Sequence, residues 1–133
     1  MILHVRAVEA KDLPKMDVIG KSDPFLTFRI NVSKETYKTK FIKQTLDPKW
    51  NEEFHIPVPN QDCVLHVELL DMDKVSANDL ISTRDFELNH FKVGEVYEDW
   101  YHFFKAPGVD KPGSVYLVFH LANNGDTPFV RKQ

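Results

Sequence analysis

Hydrophobic and polar residues alternate along most of this chain with a period of two. In "ILHVRAVEA" (residues 2–10), Leu3, Val5 and Ala7 share a face opposite His4 and Arg6. "FLTFRI" (25–30) sets Leu26, Phe28 and Ile30 against Thr27 and Arg29. "CVLHVELLD" (63–71) sets Leu65, Val67 and Leu69 against His66 and Glu68. "SVYLVFHLA" (114–122) sets Val115, Leu117, Phe119 and Leu121 against a face with Tyr116 and His120. This is the signature of half-buried strands. Weaker alternation marks "TYKTKFIK" (36–43), "NEEFHIPV" (51–58), "STRDFEL" (82–88) and "DWYHFF" (99–104).

The segments between these runs are rich in Pro, Asp, Asn, Lys and Gly, and no long stretch has a 3.6-residue period. Short strands punctuated by turn residues predict an all-β chain, an eight-stranded antiparallel Greek-key β-sandwich. "NHFKVGEVYE" (89–98) is expected to hold a helical turn. The folded unit is expected over residues 1–122, with 123–133 a polar C-terminal tail or linker.

Composition narrows the picture. A length of 133 residues suits one domain. With 42% hydrophobic and 28% charged residues the chain has globular composition. A formal net charge of -3 is too near zero to argue for nucleic acid on bulk charge. The single cysteine, Cys63, excludes an internal disulfide framework and fits a reducing compartment. The N-terminal stretch carries charge by Arg6, unlike a signal peptide, and no run approaches the ~20 apolar residues of a membrane span. A cytoplasmic, soluble domain is the expectation.

Chemistry concentrates in two connections. "KMDVIGKSDPF" (15–25) holds Asp17 and Asp23, and "LLDMDKVSANDLI" (69–81) holds Asp71, Asp73 and Asp79. If both loops meet at one end of a sandwich, five carboxylates share a small volume and repel one another. A hard divalent cation relieves this. Calcium accepts six to eight oxygen ligands in a flexible cage, whereas magnesium demands stricter octahedral geometry. Zinc favours His or Cys, which neither loop supplies. Neither loop has the twelve-residue EF-hand pattern with a closing Glu. The plainer alternative is a set of solvated turn aspartates, since Asp favours turns.

Three motifs together carry a resemblance. "LPKMDVIGKSDPF", "KQTLDPKWNEEFHI" and "VELLDMDKVSANDLI" resemble, in order and spacing, the first calcium loop, the central strand-turn-strand and the third loop of a C2 domain. That family is the calcium- and phospholipid-binding module of protein kinase C, synaptotagmins and cytosolic phospholipase A2. The resemblance covers nearly the whole chain. It implies that Asp17, Asp23, Asp71, Asp73 and Asp79 bind two or three Ca2+. Main-chain oxygens of Met16 and Met72, and a side-chain oxygen at Ser76, would complete the set. One departure is "DLIS", with Ser82 where the family often has glycine; an altered strand start is expected. No extra strand precedes residue 2, which resembles the permuted, phospholipase-like (type II) topology.

The resemblance also gives the apolar loop residues a role. Val18, Ile19 and Val75 would meet lipid, with Lys21, Lys74 and Lys15 near an anionic leaflet. Capping of the sandwich end by Val18 and Ile19 is the alternative. Lys38 and Lys40, with Arg29 and Lys43, match a lysine-rich phosphoinositide groove of some members, although Thr27 replaces a further lysine. A solvated basic face is the alternative there. The implied function is calcium-dependent docking to anionic membranes, in which the domain is recruited peripherally from the cytoplasm, alone or with a further domain or protein partner. The rival on the same fold is a calcium-independent protein-interaction module. Catalysis is not expected: no Ser/His/Asp or Cys/His arrangement and no P-loop is apparent.

Overall fold

The computed structural model describes residues 1–16, 22–75 and 77–126. Nine strands follow in order: β1 (Ile2–Lys11), β2 (Pro24–Ile30), β3 (Tyr37–Lys38), β4 (Lys49–Pro57), β5 (Val64–Asp71), β6 (Asp79–Glu87), β7 (Val96–His102), β8 (Phe104–Lys105) and β9 (Ser114–Ala122). They form two antiparallel sheets, ordered β4-β1-β9-β7 and β3-β2-β5-β6-β8. The last strand lies beside β1, as the phospholipase-like (type II) order requires. Among the described residues no helix is long and apolar enough to cross a membrane.

The alternating residues do what their period demands. Leu3, Val5 and Ala7 from β1, Leu26, Phe28 and Ile30 from β2, Leu65, Val67 and Leu69 from β5, and Val115, Leu117, Phe119 and Leu121 from β9 form one core. Each fully buried Leu, Ile or Phe contributes about 1.5–3 kcal/mol of transfer free energy. Phe119 anchors the centre, its ring in contact with Phe86, Phe91 and Tyr101. Two histidines that alternation places on a polar face are nonetheless buried: His4 and His120 lie on the side away from the core, with the His4 ring packed against those of His55 and His120.

All eight expected strands are present, and the differences lie at their ends. "DWYHFF" splits between the sheets: β7 ends at His102, Phe103 enters the core, and Phe104 starts β8 opposite Thr83. That crossing supplies the ninth strand. The helical turn lies earlier than expected, as a single 3-10 turn over Leu88–His90. "TYKTKFIK" shortens to two ladder residues because a side chain replaces the main chain. Thr39 donates its amide to the Leu26 carbonyl (3.0 Å), but the Leu26 amide donates to the Thr39 hydroxyl (2.9 Å) rather than to a carbonyl. In β6, Leu69 faces Ser82 and Leu70 faces Leu80, so Ile81 is an inserted bulge residue at the altered strand start. The Ser82 hydroxyl donates to the Pro112 carbonyl (2.9 Å). The open edge of β7 is blunted: Asp99 accepts the Trp100 amide (2.8 Å) and Arg84 donates to the His102 carbonyl (2.8 Å).

Three substitutions test local devices of this kind. Gly113 has φ +74°, and a Cβ there would lie 2.9 Å from Leu13 Cδ1 and 3.2 Å from the Lys11 carbonyl oxygen. Gly113→Ala is expected to cost about 1–3 kcal/mol in urea unfolding. Gly94→Ala, at φ +90° with nothing within 4 Å, is expected to cost less. Thr39→Val keeps the shape but leaves the buried Leu26 amide without its acceptor, and should lower stability by about 1–3 kcal/mol in the same measurement.

Candidate functional site

The two acidic connections leave the same end of the sandwich because of sheet register. Pro24, at the start of β2, faces Asp71, at the end of β5; Asp71 in turn faces Asp79, at the start of β6. Asp71 thus stands between Asp23 and Asp79 at a junction of three strand ends. The Asp23 amide donates to Asp71 Oδ1 (2.8 Å), and the Met72 amide donates to the Asp23 carbonyl (2.9 Å). Asp71 is 2% exposed, Asp23 and Asp73 are half-buried and Asp79 is exposed. A buried carboxylate at a strand end needs strong donors, and a backbone amide is one.

The turn after β3 supports the first connection. Gln44 donates its amide (2.7 Å) and its Nε2 (3.4 Å) to Asp23 Oδ1. The Thr45 amide donates to the Ser22 carbonyl (2.9 Å), and the Ser22 hydroxyl donates to the Pro14 carbonyl (2.9 Å), closing the base of the loop. From β4, the Trp50 indole N–H donates to the Pro24 carbonyl (3.3 Å). In the other connection, Asp73 Oδ1 accepts the Val75 amide (2.9 Å), and the Asp73 amide donates to Asn78 Oδ1 (2.8 Å). This turn projects Val75 outward at 96% exposure, beside exposed Lys74.

The candidate ligand atoms of these connections are oxygens, which suits a hard cation. Among the described residues, no three His, Cys, Asp or Glu side chains are grouped closely enough to hold a metal. Asp17, Val18, Ile19, Lys21 and Ser76 lie outside the described residues, so the first loop contributes only Asp23 and Met16, the latter packed partly against the core. Lys15 is exposed at its start.

The basic residues divide. Lys38 and Lys40 line one cavity of about 400 Å3, together with Phe25 and Phe41, and with Met72 and Asn78 from the acidic connection. Arg29 sits farther along β2, opposite His66, with its guanidinium toward the Ser33 carbonyl (3.5 Å). Lys43 is exposed in the following turn. Glu68 faces Thr27, which itself faces Lys38, and so adds negative charge to the same sheet row. Three supporting residues, Gln44, Trp50 and Asn78, escape a reading of the sequence. Gln44 and Trp50 lie within "KQTLDPKWNEEFHI", but neither periodicity nor charge marks a residue that acts by holding another loop.

The C2 domain family matches residues 1–103. Tricalbin-1 of Saccharomyces cerevisiae is 41% identical over 124 residues, a stretch covering 90% of this chain and 10% of tricalbin-1. The first C2 domain of plant extended synaptotagmin 1 superposes with a TM-score of 0.83 at 26% identity, over 98% of this chain and 96% of that one. The calcium-bound tandem C2 domains of extended synaptotagmin 2 give a TM-score of 0.75 at 26% identity, over 90% of this chain and 44% of theirs. This chain spans a tenth of the length of tricalbin-1. With the family match spanning both acidic connections and the sheet order bringing their ends together, the chain belongs to the C2 domain family.

Proposed function

We propose that this domain docks to anionic membranes when calcium fills the end of the sandwich formed by Asp17, Asp23, Asp71, Asp73 and Asp79. The observation that carries the proposal is the direct lock between the two acidic connections. Asp23 and Asp71 are hydrogen-bonded to each other through backbone and carboxylate, so acids distant in sequence are held side by side. The calcium-bound state of extended synaptotagmin 2, a relative by structure, supports the choice of ion.

The five carboxylates carry the charge, and the main-chain oxygens of Met16 and Met72, with Ser76, extend the donor set. Calcium supplies positive charge and coordination positions that lipid oxygens can enter. Two such ions take the formal net charge from -3 to +1, with the change concentrated at one end. Val75 is already presented to solvent, and burying it in a lipid interface contributes about 1–2 kcal/mol. Val18 and Ile19 serve the same surface from the first loop, and Lys15, Lys21 and Lys74 add on the order of 1 kcal/mol each near an anionic leaflet. The Lys38 and Lys40 cavity shares the lining residues Met72 and Asn78 with the acidic end. It accepts a phosphoinositide headgroup beside the calcium site, with Arg29 and Lys43 as peripheral charges. The domain works as a binding module rather than a catalyst, delivering whatever it is joined to from the cytoplasm to the membrane.

Calcium should raise the melting temperature, because a ligand that binds only the folded state stabilises it by about 2.7 kcal/mol at a hundred times its dissociation constant. In vesicle sedimentation, phosphatidylserine vesicles should retain the protein in calcium and release it in EGTA. The pair Asp71→Asn with Asp73→Asn should abolish the difference. Equal retention of wild type and variant in saturating calcium rejects the calcium switch and favours the protein-interaction reading. Lys38→Ala with Lys40→Ala should weaken binding to vesicles containing phosphatidylinositol bisphosphate by about thirtyfold, on the order of 1 kcal/mol per lysine, and leave phosphatidylserine binding within about threefold.

A further inference from the structure

One side-chain cluster lies outside the acidic end. His55 of β4, His4 of β1 and His120 of β9 face one another in register, forming a row across three adjacent strands. They lie on the side of the sheet away from the core, since Leu3 and Val5 on either side of His4 point into it. His4 Nδ1 and His55 Nδ1 are 2.7 Å apart. The His4 ring centre is 4.9 Å from that of His55 and 5.5 Å from that of His120. His4 is only 4% exposed, whereas His55 is open to solvent.

A separation of 2.7 Å between two ring nitrogens is a hydrogen bond, and it requires one N–H and one lone pair. If both imidazoles were fully protonated, two N–H groups would point at each other across that distance, each carrying positive charge. The charged groups facing the row are Arg6 on β1, Glu53 on β4, and, beyond Val118 of β9, Glu98 on β7. Glu53 is already engaged by Arg6 at 3.5 Å. Burial, and then His55 and His120, push His4 below the ordinary imidazole value, with Glu53 opposing. Folding therefore favours neutral His4. Stability is lost as pH falls through the unfolded value of about 6.5 and goes on falling towards the folded one.

We propose that the His55–His4–His120 row is a proton-operated latch on the β4 edge of the sheet. While His4 and His55 share one proton between their Nδ1 atoms, β4 is held to β1. When falling pH protonates both rings, the shared hydrogen bond is replaced by repulsion, and β4, which among the described strands pairs with β1 alone, is the strand that yields. The device acts on a strand whose Trp50 donates to Pro24, next to Asp23, so loosening of β4 reaches the acidic end.

The test is amide hydrogen exchange and thermal unfolding of the full chain at pH 7.5 and 5.5, in wild type, His4→Gln and His55→Gln. In wild type, β4 amides, after correction for intrinsic exchange, should lose up to about tenfold of their protection on acidification, the most that one linked proton with an unfolded value of about 6.5 gives between these two pH values. β2 and β5 amides should change far less, and the melting temperature should fall by on the order of 5 °C. His4→Gln should lose most of this pH dependence. In His55→Gln the burial of His4 remains, so global stability should still fall, but the selective loss of β4 protection should disappear. His55 is exposed, so His55→Gln carries the test even if His4→Gln does not fold. The latch is refuted if wild type and His55→Gln lose β4 protection in parallel on acidification, or if wild-type protection falls evenly over both sheets.

Discussion

The amide of Asp23 donating to the carboxylate of Asp71 is the contact on which the acidic end depends. It ties the start of β2 to the end of β5 where the two strands are already in register, and the Met72 amide returns the bond to the Asp23 carbonyl. A carboxylate 2% exposed is costly unless its lone pairs are met. Meeting one of them with a backbone amide fixes the path of both loops at once. Asp79 is delivered to the same junction by the β5–β6 ladder, while Gln44 braces Asp23 and Trp50 holds the Pro24 carbonyl beside it. The positions of Asp71 and Asp79 are thus a product of strand pairing.

How much of this is legible in the sequence depends on the kind of signal. The period-two runs through Leu3, Phe28, Val67 and Phe119 name the core correctly, because burial of alternate residues is what a half-buried strand requires. The acids of the two connections stand out because five aspartates in two short segments between alternating runs are chemically conspicuous. Three things are invisible. Phe103 changes sheets through a single buried residue, and no local pattern announces a crossing. Thr39 substitutes its hydroxyl for a carbonyl, which shortens β3 while keeping the segment attached. Alternation puts His4 on a polar face, yet it is buried, since the rings of His55 and His120 on the adjacent strands pack against it.

The basic residues show why face assignment is not the same as site assignment. Lys38 and Lys40 do share a cavity, and Met72 joins that cavity to the acidic end. Arg29 does lie on the neighbouring strand, but it looks toward Ser33, and the row that includes Lys38 and Thr27 continues to Glu68. Positive charge is therefore gathered at one end of this face and diluted along it. A ligand reading that charge would be held near the loops instead of being spread over the sheet.

The pairing of β1 with β9 has a further implication, for biosynthesis. Ile2 faces Ala122 and Lys11 faces Ser114, so the first of the described strands to leave the ribosome pairs with the last of them. β1 sits inside its sheet, and one of its two neighbours does not exist until residues 114–122 have been made. Until then one hydrogen-bonding edge of β1 has no native partner, and the loop to be closed spans residues 12–113. Nascent chains of this domain must either be shielded or fold only once translation has passed β9, which makes β1 the segment most exposed to misassociation during synthesis.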